Sequence, residues 1–212
     1  MKLEDGTTIL FTGDSITDCG RARPVGMRDG LGEGYVAFVN ALLATTCPER
    51  RVKVLNTGIS GNRVIDLDAR WRTDVLALDP EWLSIMIGIN DVWRHYDNAL
   101  DPNQVDIVRY ETTYRKILKA VRSGLQGLVL MTPYFIEPNL DDPMRKQMDA
   151  YSAIVRQLAG EFDAVFVDVQ AAFDRYLAHR PTQSLCGDRV HPNKTGHMII
   201  ARAFLAAMDV EL

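Results

Sequence analysis

Cysteine is scarce in this chain: 212 residues hold three, widely separated at Cys19, Cys47 and Cys186. With no C-x-x-C pair and no neighbouring histidine cluster, a disulfide scaffold and a structural zinc site are not expected. Each thiol reads as a small buried residue. An excess of positive charge is also missing, since 24 Lys and Arg face 28 Asp and Glu for a formal charge of −4. That balance argues against a nucleic-acid partner, and the short basic clusters at Arg21 to Arg23 and Arg50-Arg51 read as solvated surface. No apolar run reaches membrane-spanning length. The opening M-K-L-E-D-G-T-T carries acids where a secretory signal needs a basic end and an apolar stretch. A cytoplasmic protein without membrane attachment is the expectation. Repeats and low-complexity linkers are lacking too, so residues 1–212 are expected to form one domain.

What the chain does have is apolar material, 47% of its residues, arranged in short runs. Runs of strand length recur at Thr8 to Thr12, Val52 to Asn56, Trp82 to Ile87, Leu128 to Thr132 and Val165 to Val169. They are nearly continuous rather than alternating, as strands covered on both faces should be. Between them lie helical spacings, such as Tyr35, Phe38, Val39, Leu42 and Leu43, and later Tyr114, Ile117, Leu118 and Val121. Arg70 to Leu78, Arg145 to Phe162 and Thr195 to Met208 complete the expected helices, the last capped after Pro192-Asn193. Strand and helix alternating in this way predict a doubly wound α/β fold with a five-stranded parallel sheet. Ligands in such sheets bind beyond the carboxyl ends of the strands.

Four polar clusters deserve weighing there. Gly13-Asp14-Ser15 follows the first strand, Asn56 to Asn62 with Gly58 and Gly61 the second, and Gly88-Ile89-Asn90-Asp91 the third. Asp188-Arg189-Val190-His191 precedes the last helix. The bland reading of Asp14 and Ser15 is a helix cap. The chemical one makes Ser15 a nucleophile at a helix start, where unpaired amides favour an oxyanion. A serine needs a base to take its proton. Of four histidines, His95 reads as loop, His179 as surface and His197 as part of the final helix. His191 stands three residues after Asp188 in a short loop bracketed by Gly187 and Pro192. A carboxylate so placed can fix one imidazole nitrogen while the other faces a serine, the arrangement of a Ser-His-Asp triad. The alternative is a surface salt bridge between Asp188 and Arg189. The backbone N–H groups of Ser15 and Gly61 with the amide of Asn90 could donate to an oxyanion; alternatively the glycines serve a turn and Asn90 caps a helix.

In this order the four clusters resemble the GDSL or SGNH hydrolase family. The blocks are G-D-S-I at Gly13 to Ile16, I-S-G at Ile59 to Gly61, G-I-N-D at Gly88 to Asp91 and D-R-V-H at Asp188 to His191. Isoleucine stands where the family name has leucine. The resemblance covers nearly the whole chain and implies a three-layer α/β/α sandwich of flavodoxin-like topology. It also implies Ser15 as nucleophile, His191 as general base and then acid, Asp188 as its partner, and Ser15, Gly61 and Asn90 around the oxyanion. An ordinary α/β-hydrolase would carry G-x-S-x-G, but Thr17 stands where the second glycine belongs. A flavodoxin or receiver domain would not need the late D-x-x-H.

Within the family, G-D-S-I-T-D-C-G-R-A-R-P, A-R-W, S-I-M-I-G-I-N-D-V-W-R and D-R-V-H-P look most like intracellular bacterial esterases that deacetylate xylo-oligosaccharides. Leu185-Cys186-Gly187 departs from that group, where an aromatic is expected. The resemblance implies an acetyl or other short-chain ester of a small molecule or oligosaccharide as substrate, no metal or organic cofactor, and frequent assembly into homo-oligomers. Asp14, Arg63, Trp93, Arg94, Tyr96 and Tyr134 are candidates for substrate contact, although each alone has a packing or ion-pair alternative. The competing functions are a lysophospholipase or thioesterase of the same family and a catalytically silent relative that binds a glycan or partner through the same cleft. No apolar lid or amphipathic segment favours a lipid surface.

Overall fold

Each of the five apolar runs becomes a strand. The computed structural model describes residues 1–27, 30–98, 100 and 102–211. In it β1 (Thr8–Gly13), β2 (Lys53–Asn56), β3 (Trp82–Met86), β4 (Gly127–Met131) and β5 (Val165–Val167) form one parallel sheet. The strand order is β2-β1-β3-β4-β5. Every residue of β3 and β4 is buried, which is why W-L-S-I-M and G-L-V-L-M show no alternation. The register sets Phe11 beside Asn56 and Gly13 beside Met86, so the carboxyl ends of β1, β2 and β3 lie together. The chain leaves β1 for β2 on one side and returns as β3 on the other. That makes this edge the switch point where doubly wound sheets bind ligands.

Helices cover both faces of the sheet. After the single turn α1 (Ser15–Asp18) come α2 (Tyr35–Thr46), α3 (Val64–Ala69), α4 (Trp71–Asp74), α5 (Ile89–Asp97), α6 (Ile107–Val121), α7 (Pro143–Glu161), α8 (Val169–Leu177) and α9 (Lys194–Ala207). On one face α9 packs against α2 and α8; on the other α6 joins α3 to α7, and α7 also meets α5. Phe11 of β1 touches Tyr35 of α2 and Phe204 of α9, with ring centroids 5.8 and 5.0 Å apart. On the opposite face Tyr110 of α6 meets Tyr151 of α7 at 4.8 Å. Caps explain the starts: Asp106, Asp142, Asp168 and Asn193 each accept from a backbone N–H in the first turn that follows. No described helix is long and apolar enough to cross a membrane.

Three expectations need correction. The helix expected over Arg70 to Leu78 is broken: α4 ends at Asp74, and a 3-10 turn at Leu76–Leu78 ends in Asp79 at φ +43°. Asp79 precedes Pro80, which disfavours helical backbone, and the chain enters β3 directly afterwards. The fifth strand, expected to reach Val169, stops at Val167 because Asp168 caps α8, a helix the apolar run concealed. Trp93, Arg94 and His95, expected in a loop, lie in α5.

Candidate active site

The nucleophile candidate sits where β1 meets the switch point. Gly13 permits this meeting, since a Cβ there would fall 2.2 Å from the Met86 carbonyl oxygen and 2.5 Å from Thr17 Oγ1. Asp14 is completely buried, and its Oδ1 accepts the N–H of Ile16 at 3.0 Å. It caps α1 and so holds Ser15, the first residue of that turn. Burial pushes the Asp14 carboxyl up to about 7, and its Oδ2 has no hydrogen-bond partner. Cys19 ends the turn with φ +37°.

Against Ser15 stands the loop before α9. Asp188 Oδ1 accepts the backbone N–H groups of Val190 and His191 at 3.0 and 2.8 Å. Its Oδ2 lies 2.7 Å from His191 Nδ1, and His191 Nε2 lies 2.9 Å from Ser15 Oγ. With Nδ1–H donated to the carboxylate, Nε2 carries the lone pair that faces the serine. Burial alone would raise the Asp188 carboxyl; the hydrogen bonds from the His191 ring and from the His191 and Val190 amides outweigh it and hold the group below its usual range. The His191 side chain is 46% exposed, so the site opens directly to solvent.

The loop is fixed from outside. Arg189 turns at φ +64° and pairs not with Asp188 but with Glu137 and Asp142, at 2.8 and 3.3 Å, its guanidinium lying over the Phe135 ring. Ile136 N–H donates to the Arg189 carbonyl and the Tyr134 hydroxyl to that of Val190. Tyr134 is wholly buried. It braces the histidine loop and presents no surface to a substrate, which corrects the expectation of contact. Asp14, buried behind Ser15, is corrected on the same ground.

The other two blocks converge on Ser15 from β2 and β3. Gly61 has φ +82° and nothing within 4 Å of where a Cβ would stand, so backbone conformation rather than space calls for glycine and its face stays open. Asn90, 2% exposed, donates from Nδ2 to the Asn62 carbonyl at 3.1 Å and accepts at Oδ1 from Arg94 Nη2 at 3.3 Å. Asp91 is fully buried; both its oxygens accept the N–H of Val64, at 3.0 and 3.2 Å, which ties the second block to the third. Burial, reinforced by the nearby Asp14, lifts its carboxyl to about 7.

Arg70 is the supporting residue that sequence reasoning missed. Its guanidinium donates to the carbonyls of Gly13 at 3.0 Å and Thr57 at 2.7 Å and to Asn62 Oδ1 at 2.7 Å, while Asp74 balances its charge at 2.9 Å. One side chain thus knots the ends of β1 and β2 to the loop carrying Gly61. Its position between α3 and α4 in an A-R-W stretch gave no local sign of this.

Trp93 lies with its ring 5.6 Å from that of His191, beside the site. Arg94 is engaged by Asn90 and Asp97, and Arg63 by the Asp66 carboxylate and the Asn103 carbonyl. Tyr96 is 47% exposed near the far end of α5. Of the remaining histidines, His95 meets Gln147, and His197 is a core residue whose Nδ1 accepts the Tyr35 N–H at 3.1 Å. Burial depresses His197 to about 4.

A Ser-His-Asp hydrogen-bond chain at the switch point of a flavodoxin-like sheet, with Asn90 and Gly61 beside it, defines a class of hydrolase. The family model described as GDSL-like Lipase/Acylhydrolase matches residues 11–199, and the chain belongs to that family. It is 50% identical, over 214 aligned positions, to the acetylxylan esterase of Geobacillus stearothermophilus, covering 100% of this chain and 98% of the relative. The crystal structure of that enzyme, Axe2, matches with a TM-score of 0.98 at the same identity and coverage. Solved catalytic mutants of Axe2 carry alanine in place of a serine, an aspartate or a histidine. LAE5, an alpha/beta hydrolase enzyme from the metagenome of Lake Arreo, Spain, matches at 46% identity with a TM-score of 0.95, over 98% of this chain and 97% of that one. The thioesterase 1/protease 1/lysophospholipase L1 of Escherichia coli is 27% identical over 194 residues, 92% of this chain and 79% of the relative.

Proposed function

We propose that this chain is a serine esterase that removes acetyl groups from xylo-oligosaccharides or closely related carbohydrates through an acyl-enzyme. The observation that carries the reading is the unbroken hydrogen-bond chain from Ser15 through His191 to Asp188, in a protein half identical to an acetylxylan esterase. Ser15 Oγ attacks the ester carbonyl while His191 Nε2 takes its proton. Asp188 stabilises the imidazolium and keeps the ring in the tautomer that can accept. The oxyanion receives the Ser15 N–H, which as the first amide of α1 has no helical carbonyl to bond, the Gly61 N–H and the second Nδ2 hydrogen of Asn90. His191 then returns the proton to the leaving sugar hydroxyl. Water, deprotonated by the same ring, releases acetate and restores Ser15.

The solvent-open His191 suits an ester whose alcohol portion is bulky and polar, and the Trp93 ring beside it offers a face for a sugar. Parent and Ser15→Ala proteins assayed on acetylated xylo-oligosaccharides, other acetyl sugars and acyl esters from acetyl to octanoyl test the proposal. Hydrolysis strongest for acetylated xylo-oligosaccharides and abolished by Ser15→Ala is expected. Activity rising toward octanoyl esters would replace this reading with a lipolytic or thioesterase one. A parent protein that hydrolyses nothing and does not react at Ser15 with a fluorophosphonate would be the silent binding relative.

A further inference from the structure

Asn90 enters that mechanism as a donor, yet a primary amide carries an acceptor oxygen beside its nitrogen, and half a rotation would exchange them. What sets its orientation lies outside the cleft. Asn90 Oδ1 receives Arg94 Nη2 at 3.3 Å from one turn along α5, while one Nδ2 hydrogen goes to the Asn62 carbonyl at 3.1 Å. A guanidinium offers only donors and a carbonyl only an acceptor. A rotated amide would set N–H against N–H on one side and lone pair against lone pair on the other. Both neighbours are themselves held: Arg94 is paired with Asp97 and lies over the Trp93 ring at 5.2 Å, and Asn62 is held by Arg70 Nε at 2.7 Å.

We infer that Arg94 is a positioning residue for the oxyanion site: by occupying Asn90 Oδ1 it keeps the second Nδ2 hydrogen aimed at the substrate carbonyl oxygen. Its positive charge, one hydrogen bond away, also polarises that donor. The inference rests on the role given to Asn90 above. It removes Arg94 from the residues that contact substrate, because the guanidinium is already taken up by Asn90, Asp97 and Trp93.

The test is kcat and KM on 4-nitrophenyl acetate for the parent, Arg94→Ala, Arg94→Lys, Asn90→Ala and the Arg94→Ala/Asn90→Ala double variant. The Arg94 side chain is 31% exposed, so unfolding midpoints close to the parent's are expected for its variants. Arg94→Ala should lower kcat about 10- to 100-fold, somewhat less than outright loss of a hole donor, with KM within about twofold. Arg94→Lys, which still donates to Oδ1, should keep most of kcat. In the Asn90→Ala background, Arg94→Ala should cost no more than about twofold, because the group it positions is gone. A raised KM with kcat intact, or a full Arg94→Ala effect in the Asn90→Ala protein, would overturn the positioning role. If Asn90→Ala loses activity while Arg94→Ala runs at the parental rate, only this inference falls. If Asn90→Ala itself runs at the parental rate, the oxyanion assignment falls and takes the inference with it.

Discussion

The hydroxyl of Tyr134, with none of its surface exposed, donates to the carbonyl of Val190 at 3.0 Å, one residue before His191. Tyr134→Phe leaves that carbonyl without its donor in a buried setting, at a cost of about 1–3 kcal/mol. Because the same bond anchors the histidine loop, kcat should fall about 3- to 10-fold through looser alignment of His191. Chemical denaturation and steady-state kinetics on one preparation check both; a variant as stable and as active as the parent would show that the bond does not brace the loop.

Asp188→Asn separates loop geometry from proton chemistry. The amide oxygen can still accept the N–H groups of Val190 and His191, but its NH₂ now confronts Nδ1–H, and the ring is driven to the tautomer that cannot accept from Ser15. A loss in kcat on the order of 10⁴ is expected, with KM little changed. Retention of more than a tenth of parental kcat would contradict the role proposed for Asp188.

Arg70 should prove as important to stability as any core side chain. Truncation to alanine leaves the carbonyls of Gly13 and Thr57 and the side chain of Asn62 without donors, for a loss of about 2–4 kcal/mol. Arg70→Lys should recover little, since one ammonium cannot reach acceptors spread across a guanidinium fork. Urea midpoints of the two variants make the comparison; recovery by lysine would mean that charge against Asp74 matters more than the knot.

The buried acid behind the nucleophile gives a stability signature with a definite sign. Asp14 has its carboxyl raised by burial from 3.8 to about 7. Between those values the unfolded chain has lost a proton that the folded chain keeps, so this group erodes stability as pH rises through the window and no further above it. Asp14→Asn keeps the oxygen that caps Ile16 and mimics the protonated acid. The variant should be more stable than the parent at pH 8, by a few kcal/mol on the order implied by such a shift, and should lose that advantage at pH 4. Thermal unfolding of both proteins across this range decides it, and a pH-independent difference would refute the assignment.

Much of this architecture can be read before any coordinates because burial on both faces writes itself as uninterrupted apolar runs: β3 and β4 were visible as Trp82 to Ile87 and Leu128 to Thr132. The chemical blocks were visible because a base three residues from its acid is a local pattern. The supports were not. Arg70 and Tyr134 act through carbonyls far along the chain, and nothing near them in sequence distinguishes a brace from a surface cation or a sugar platform. Helix α8 was hidden because Asp168 interrupts an apolar run that continues through Val169, and only the cap shows that the backbone changes course there. Arg94 looked like a substrate contact because its bond to Asn90 is a property of helix geometry rather than of composition.

Ser15 and His191 stand 176 residues apart in the chain, whereas Asp188 closes on His191 within a single loop. The order of synthesis follows from this spacing. A growing chain presents G-D-S among its first residues, but the group that activates the serine emerges only after all five strands. Until that last segment docks, the residue is an ordinary alcohol, as inert as any surface serine. Hydrolytic activity therefore reports arrival of the final loop and helix, and a fragment ending before Asp188 would carry the nucleophile without the means to use it.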